Sequence, residues 1–454
     1  MKNRLKYRNI LLSVLLCMVV ISACDNDDDI ASSPISVQKI FLEDADSNVP
    51  DREVKYARLG QLLRIEGSGF LGLKRVYING YSTYFNPVFV TDNSMLIRVS
   101  ENTPTTESDP GDRNKIHFVK DATAFTYEFE IRASAPAITG VSHTMPLAGE
   151  WITVYGTGLY EVNRVVFPGN IEETSEIANG EDGESFMVKV PAGVSEDGGS
   201  LLIECANGGA YSPAYFNFKA GVILNFDGRG SQGSWGSSVS MIKPEDLESA
   251  SVGFGNVSQG TYCAHRPQRI ASFDAGKNRC SEVWTAGNGV DDWRGQLTPY
   301  IPASTPLSEV GFQFDIYVPE EWVGTGYLKI CLQNGFNGGE WEKDSYNFVP
   351  WIVGKEVVPF KTQGWQTVTV PITKLYMYAE GDFTFEDVLT RRETASYSNF
   401  GFYFENSEFT LGNVTGNSSD ETAFVPSATS VRVYSDNWRV VSLAIPSYSD
   451  FPEE

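Results

Sequence analysis

Histidine, cysteine and basic residues are scarce in this chain, and each shortage removes a class of function. The 454 residues include three histidines and six cysteines, and no two cysteines form a Cys-x-x-Cys arrangement, so a thiolate metal site is not expected. Lysine and arginine number 35 against 58 acidic residues, which gives a formal net charge of -23. The electrostatic field of such a chain does not attract nucleic acid or an anionic membrane surface. An uncharged partner is compatible with this charge.

Helical spacing of apolar residues is also missing over any long stretch beyond the N-terminus, so a helix bundle is not expected. What the chain does contain is 42 glycines, 27 phenylalanines and 21 tyrosines. Short alternating apolar runs recur between Gly, Asn and Pro, which predicts an all-β protein. The length predicts two to four domains, each large enough for its own core.

The N-terminus has the pattern of a secretory signal. Four cations between positions 2 and 8 precede the apolar run 10–21, which is shorter than the ~20 residues of a membrane-spanning helix. Ser22-Ala23-Cys24 resembles the lipobox of bacterial lipoproteins, which implies a signal peptide 1–23, an acylated Cys24 and an acidic linker 24–35. The acidic run after Cys24 resembles the surface-export signal of Bacteroidetes lipoproteins, and it implies an outer-membrane protein facing the cell exterior. The alternative is a solvated linker on an inner-facing lipoprotein.

The chain repeats one motif at a fixed offset of 89 residues. Residues 65–70 (IEGSGF) and 74–80 (KRVYING) correspond to residues 154–159 (VYGTGL) and 163–169 (NRVVFPG). Regular short strands of this kind indicate β-sandwiches. The Gly-x-Gly turn before a short strand resembles the IPT/TIG immunoglobulin-like module, which implies two such domains at 36–134 and 135–219. Modules of this family are most often spacers, and neither copy suggests chemistry.

Tryptophan is concentrated in the remaining segment, which contains eight of the nine. This segment opens with residues 222–228 (VILNFDG) and closes with residues 431–440 (VRVYSDNWRV). Together with the internal residues 364–371 (GWQTVTVP), this pair resembles the jelly-roll sandwich of carbohydrate-binding modules. The whole order resembles the type B surface glycan-binding proteins of Bacteroidetes polysaccharide-utilisation systems. It implies tandem immunoglobulin-like sandwiches followed by a glycan-binding sandwich at 220–446.

Aromatic side chains in irregular Gly/Asn-rich segments are the predicted contacts, because a pyranose ring packs its C–H face on an aromatic plane. Trp365 and Trp438 stand in regular strand patterns and are assigned to the core, while Trp322 is placed in a turn. The predicted glycan-binding residues are Trp293, Trp341, Trp351, Trp284 and Tyr346, with Tyr327 as a further candidate if its strand turns that face toward a groove.

The resemblance implies a cell-surface lipoprotein without catalytic activity that binds a neutral plant polysaccharide, of the β-glucan type such as xyloglucan or mixed-linkage glucan. It further implies that the bound glycan is presented for degradation and passed to an outer-membrane import complex. Neither a cofactor nor nucleic acid is expected. Two alternatives stay open, a surface glycanase built on a sandwich and a protein-binding adhesin. Asp227 and Asp436 are candidate structural calcium ligands by position alone, with turn capping as the alternative. Cys263 and Cys280 could pair, although spacing alone does not show it.

Overall fold

The computed structural model describes residues 30–43, 51–230, 242–249, 260–265, 279–285, 292–332, 344–395, 398–415, 419–428 and 431–449. Two compact units make up the chain. One extends to Pro136 and includes Ala206–Gly208, and the other comprises Ala137–Cys205 and the chain from Gly209 onward. In the part of the chain that the structure describes, no helix is both long and apolar enough to cross a bilayer.

The first unit is a β-sandwich. Its strands are β1 (Ser36–Leu42), β2 (Arg52–Glu53), β3 (Tyr56–Arg58), β4 (Leu62–Ser68), β5 (Arg75–Ile78), β6 (Tyr81–Thr83), β7 (Ser94–Arg98), β8 (Lys115–Val119), β9 (Ala124–Glu128) and β10 (Glu130–Arg132). The two sheets have the orders β2-β1-β4-β7 and β6-β5-β8-β9, and β3 pairs in parallel with β10. Alternate side chains of β4, β5 and β7 are buried between the sheets, as the period of two requires.

A second sandwich of the same plan opens the second unit. Its strands are β11 (Ala137–Val141), β12 (Trp151–Thr157), β13 (Arg164–Phe167), β14 (Ile171–Glu173), β15 (Ile177–Asn179), β16 (Ser185–Lys189), β17 (Asp197–Gly199), β18 (Leu202–Cys205), β19 (Gly208–Tyr211) and β20 (Phe216–Phe218). The sheet orders are β11-β12-β16-β15 and β14-β13-β18-β19, with a separate β17–β20 pair.

The sequence repeat coincides with this repeated architecture. Strands β4 and β5 have their counterparts in β12 and β13, each 89 residues later. Gly69 and Gly158 have φ values of +75° and +69°, the left-handed conformation that favours glycine. A Cβ on Gly67 would meet the Ser36 carbonyl oxygen at 1.9 Å, so this position also needs glycine for close strand packing.

The third sandwich forms the rest of the second unit. Its strands are β21 (Val222–Leu224), β22 (Leu247–Ser249), β23 (Thr261–His265), β24 (Arg279–Trp284), β25 (Val310–Tyr317), β26 (Tyr327–Cys331), β27 (Ser345–Phe348), β28 (Ile352–Val353), β29 (Glu356–Val357), β30 (Gln366–Pro371), β31 (Gly401–Glu405), β32 (Phe409–Thr410), β33 (Ala423–Phe424) and β34 (Val433–Ser442). One sheet has the order β22-β23-β34-β25-β30, with β21 also paired to β34. The other has the order β24-β31-β26-β27.

The described residues of both units also form short helices. The α-helices are α1 (Trp293–Leu297), α2 (Phe385–Thr394) and α3 (Gly412–Thr415). The 3₁₀ turns are Pro87–Phe89, Lys219–Gly221, Pro244–Asp246, Leu307–Glu309, Ile372–Lys374 and Tyr376–Tyr378. Helix α2 begins with a capping box in which Thr384 and Asp387 bond each other's backbone N–H groups.

Aromatic rings bridge the two sheets of the third sandwich. The Trp438 indole is stacked between Phe314 and Phe402, with ring centroids 4.3 and 4.1 Å away. Aromatic pairs of this kind contribute about 0.5–1.5 kcal/mol each beyond the area they bury. Trp438 is fully buried and Trp365 is 7 % exposed, so the assignment of both residues to the core is confirmed. The predicted all-β class, sandwiches in tandem followed by a larger one, is confirmed as well.

A buried polar network joins the second and third sandwiches within the second unit. The Arg439 guanidinium donates to Asp315 Oδ1 at 2.9 Å, to Thr144 Oγ1 at 2.8 Å and to Gln313 Oε1 at 3.1 Å. Thr144 comes from the second sandwich, and the other three residues come from β25 and β34 of the third. All four side chains are at most 1 % exposed. Because buried charges are tolerated only when paired and hydrogen-bonded, this network fixes the junction.

His143 adds a second positive charge to the junction. Its ring nitrogens lie 3.6 Å from Asp315 Oδ2 and 3.5 Å from Glu150 Oε2. Burial disfavours the imidazolium, but attraction to Asp315 and Glu150 outweighs burial and raises the pKa of His143 to about 9. His143 is therefore protonated at neutral pH and balances a carboxylate that would otherwise be costly to bury.

Candidate functional site

Four of the six predicted aromatic contacts lie in the interior of the third sandwich. Trp284, Trp293, Trp351 and Tyr327 are each at most 2 % exposed. A stacking platform must offer a ring face to the ligand, so the prediction for these four residues is corrected. Their positions in Gly- and Asn-rich or turn-flanked sequence suggested exposure, but the main core accommodates Trp293, Trp351 and Tyr327, and a separate buried cluster accommodates Trp284.

Specific partners hold three of these rings in the interior. The Trp284 Nε1 donates to Glu282 Oε1 at 2.7 Å, and the Trp351 Nε1 donates to the Gly326 carbonyl at 3.2 Å. The Tyr327 hydroxyl lies 3.1 Å from Ser407 Oγ, and burial raises the pKa of Tyr327 well above its ordinary value. Each polar atom thus has the partner that a buried aromatic side chain requires.

Of the other two predicted contacts, Tyr346 is half-buried and Trp341 lies outside the described residues. Tyr346 lies on the edge strand β27 and is half-buried, with its ring against the main core and its pKa raised by burial. Trp341 falls in segment 333–343, which lies outside the described residues. Cys24 and the signal peptide also lie outside them.

The strands next to the two Gly- and Asn-rich segments meet at one end of the β24-β31-β26-β27 sheet. Gly401 pairs with Trp284 at the end of β24 and with Cys331 at the end of β26. Cys331 in turn pairs with Ser345 at the start of β27. Segment 286–291 follows β24, and segment 333–343 connects β26 to β27. Both are therefore attached at the same end of the sheet, which we call the strand end (Trp284, Cys331, Ser345 and Gly401).

Two neighbouring arginines of helix α2 hold the strand end in place. Arg391 donates through Nε to both oxygens of Asp344, at 2.9 and 3.0 Å, just after segment 333–343. Arg392 donates to the Leu332 carbonyl, just before the same segment. The Arg392 guanidinium also lies 3.8 Å from the ring centroid of Trp293, the second residue after segment 286–291. One helix therefore fixes the chain at the bases of both segments.

At the same end of this sheet, the face that points away from the main core carries a second apolar cluster. It consists of Trp284, Cys331 and Tyr403, all at most 2 % exposed. The Trp284 indole lies directly on Gly401, where a Cβ would approach the ring to 2.1 Å. Burial raises the pKa of the Cys331 thiol to about 12, so this cysteine stays protonated and unreactive at neutral pH.

Charged groups at this sheet are also paired. Lys329 Nζ lies 3.9 Å from Glu405 Oε2, with both side chains largely buried. Helices α1 and α2 are clamped by Arg294, which donates to Glu386 at 2.8 Å and to Glu393 at 2.6 Å. Glu386 thus helps to join the two helices. The helix α2 with its arginines was missed, although its capping box and the spacing of its buried residues were a readable signal.

The two candidate calcium ligands are engaged in local hydrogen bonds. Asp227 accepts from the Thr261 N–H at 2.9–3.0 Å, and Asp436 accepts from the Asn437 N–H at 2.7 Å. Among the described residues, no three His, Cys, Asp or Glu side chains are grouped to hold a metal ion. The Thr261 contact joins positions 34 residues apart and the Asp436 contact lies within β34, so neither is a turn cap. Cys263 is buried, but the Cys280 side chain lies outside the described residues, so their pairing stays a prediction.

The sequence of the third sandwich and its junction matches a known family. Residues 216–442 match the model of the surface glycan-binding protein B xyloglucan binding domain. Since this match covers half of the chain, the chain belongs to the surface glycan-binding protein B family, as the sequence resemblance predicted.

Known proteins resemble this chain over different extents. An IPT/TIG domain-containing protein of Bacteroides ovatus is 26 % identical over 221 residues, and the match covers 45 % of this chain and 44 % of the relative. The chain thus spans less than half the length of that relative. The crystal structure of a surface glycan-binding protein B from Prevotella bryantii shares the fold, with a TM-score of 0.60, 15 % identity and coverage of 91 % of this chain and 100 % of that one. A surface glycan-binding protein B from a complex xyloglucan utilisation locus in Bacteroides uniformis aligns with a TM-score of 0.47, 16 % identity and coverage of 90 % of this chain and 100 % of that one.

Proposed function

We propose that the third sandwich binds a neutral β-glucan-type hemicellulose, xyloglucan or mixed-linkage glucan, at the strand end. The observation that carries this proposal is the attachment of both Gly- and Asn-rich segments to one end of one sheet, with their bases fixed by Arg391 and Arg392. Loops on a rigid scaffold are where binding residues concentrate. The family model, described as a xyloglucan binding domain, supports this ligand class.

Trp341 is the aromatic residue proposed to stack on the glycan, and Tyr346, on the edge strand β27, is proposed as a further contact. The four buried aromatics are not part of this platform, since Trp284 and Trp293 pack beside the strand end. Tyr327 and Trp351 pack near Gly326, at the other end of β26. The net charge of -23 favours an uncharged ligand over an acidic one.

We further propose that the protein is a non-catalytic lipoprotein, anchored through Cys24 in the outer membrane and facing the exterior. There it would present the glycan for degradation and for uptake by an import complex. The family, whose members bind glycans, supports the absence of catalysis. Acylation of Cys24 supplies enough buried methylene groups for stable anchoring.

Affinity electrophoresis through gels containing xyloglucan, mixed-linkage glucan, laminarin or mannan tests the binding proposal. We expect retardation by one of the first two glycans, and Trp341→Ala should weaken binding at least about tenfold, or about 1.4 kcal/mol. Trp151→Ala is the matched control, because Trp151 is an exposed tryptophan on the second sandwich. Retardation of Trp341→Ala equal to that of the unmodified protein would place the platform elsewhere.

The same panel separates the two alternatives. New reducing ends that disappear on Glu282→Gln would identify a glycanase, since Glu282 lies two residues before Trp284 at the strand end. Absence of retardation by every glycan would favour a protein-binding adhesin.

A further inference from the structure

A surface pocket of about 490 Å³ lies beside helix α1, where the chain enters the third sandwich. Arg229, Asp292, Gln296 and Tyr300 provide its polar and aromatic lining, with Ala220 and Pro299 completing the wall. None of the predicted contact residues lines it. The volume falls within the range of pockets that take small ligands.

Each polar side chain of the pocket uses one atom in hydrogen bonds to the backbone, and its other polar atoms can bind a ligand. Arg229 uses Nε to donate to the Val222 carbonyl at 3.0 Å, and its terminal nitrogens have no partner among the described residues. Gln296 donates through Nε2 to the carbonyls of Ala220 and Val222 at 3.0 and 2.8 Å, which leaves its Oε1 as an acceptor. Asp292 accepts from the Gly295 N–H through Oδ1 at 2.9 Å and retains Oδ2.

An aromatic ring stands beside these groups. Tyr300 is 49 % exposed and is held edge-on against the buried Phe218, with ring centroids 5.2 Å apart. The packing against Phe218 limits the freedom of Tyr300, so that ordering it around a ligand costs little entropy. An aromatic surface of this kind packs against the C–H face of a sugar ring.

The charges of the pocket select against ions. One guanidinium (Arg229) and one carboxylate (Asp292) line the pocket, so the lining has no net charge to attract an ion of either sign. A polyhydroxylated, uncharged ligand uses both charges, because each hydroxyl group donates one hydrogen bond and accepts others. The combination of an aromatic ring, donors and acceptors therefore fits a neutral sugar.

We propose that this pocket is a second glycan subsite, which takes one sugar unit of the same neutral polysaccharide that binds at the strand end. The inference rests on the proposed function, since it assigns a further contact to the same ligand. Asp292 directly follows segment 286–291, and its neighbour Trp293 contacts Arg392 at the base of segment 333–343. A polysaccharide that reaches both places gains affinity through the higher effective concentration of the second contact.

Calorimetric titration of the full-length protein with the retarding glycan and with its short oligosaccharides tests this subsite. Tyr300→Ala and Arg229→Met should each weaken binding of the polysaccharide about three- to tenfold, while thermal unfolding stays close to that of the unmodified protein. Tyr376→Ala is the matched control, because Tyr376 is a 73 % exposed tyrosine of the same sandwich outside the pocket. Amide hydrogen exchange should also slow in residues 292–300 when the glycan is added.

The outcomes separate this inference from the proposed function. If Trp341→Ala weakens binding but both pocket variants bind normally and residues 292–300 show no protection, the subsite is wrong and the binding function stands. If the pocket variants and Tyr376→Ala lose affinity to the same extent, the subsite is also wrong. If the unmodified protein binds none of the glycans, both proposals fall.

Discussion

Protonation of His265 opposes folding, because the folded protein buries its ring. His265 ends strand β23 with no exposed surface, and its Nε2 lies 2.7 Å from Ser435 Oγ while Nδ1 has no hydrogen-bond partner. Burial lowers the pKa of His265 to about 3, against 6.5 for an exposed histidine. The ring is therefore neutral in the folded protein throughout the physiological range.

Acidification should destabilise the protein through His265. Because its pKa is lower in the folded state, the stabilisation is fully present above about pH 6.5 and is lost progressively as the pH falls toward 3. At pH 5 this one residue should cost about 2 kcal/mol of unfolding free energy, from 1.36 kcal/mol per pKa unit. Urea unfolding of the unmodified protein and of His265→Gln at pH 7 and pH 5 measures this loss. Equal losses in the two proteins would show that carboxylates alone cause the acid destabilisation.

The burial of some tryptophans can be predicted from the sequence, and that of others cannot. Trp365 and Trp438 were assigned correctly because regular strands surround them. Trp284 ends a strand and Trp293 begins a five-residue helix, so neither has enough regular sequence around it to reveal the buried side. Gly401 determines the position of the Trp284 ring from 117 residues away, and no local pattern contains that information.

At the scale of elements, the pair Arg391–Asp344 connects helix α2 to the start of β27. The Asp344 side chain is 1 % exposed, whereas Arg391 is 28 % exposed. Removal of the arginine takes two charge-assisted hydrogen bonds from a buried carboxylate, which costs far more than the loss of a surface pair. Substitution of the partly exposed Arg391 therefore tests whether helix α2 stabilises the strand end.

Arg391→Ala should lower the unfolding free energy by about 3 kcal/mol and also weaken glycan binding. Arg294→Ala is the matched control on helix α1, since its pairs with Glu386 and Glu393 are open to solvent and should contribute at most about 1 kcal/mol. Chemical unfolding and affinity electrophoresis of both variants measure the two effects. Comparable small losses of stability would contradict the role of Arg391, and normal glycan binding by a destabilised Arg391→Ala would separate the helix from the site.

The sequence repeat predicted the tandem sandwiches well because strand order and turn chemistry recur locally in each copy. Helix α2 was not predicted, because ten residues show little helical periodicity and the neighbouring sequence has the alternating pattern of β-strands. Its buried positions Phe385, Val388, Leu389 and Arg392 nevertheless follow helical spacing after the Thr384 cap. The meeting of the two Gly- and Asn-rich segments depends on the pairing of β24, β31, β26 and β27, which are distant in sequence.

At the scale of the whole molecule, strand β34 belongs to two hydrophobic cores at once. Val440 is fully buried in the core of the third sandwich, and Val441, the next residue, is fully buried in the core of the second. After this strand the Ala214 N–H donates to the Ala444 carbonyl at 3.1 Å, and Tyr448 packs against Tyr211. The C-terminal chain therefore returns to the second sandwich, which predicts that these two sandwiches unfold together.

Val440→Ala and Val441→Ala test that cooperativity from opposite faces of the same strand. Each removes two methyl groups from a fully buried site and should cost about 2 kcal/mol, from the transfer free energy of the buried groups. If the two sandwiches form one cooperative unit, both substitutions shift the same calorimetric transition by similar amounts. Amide exchange should then accelerate together in β12 of the second sandwich and β26 of the third, because global opening exposes both. A separate transition that responds to Val441→Ala alone would show that the second sandwich unfolds independently, despite the Arg439 network at the junction.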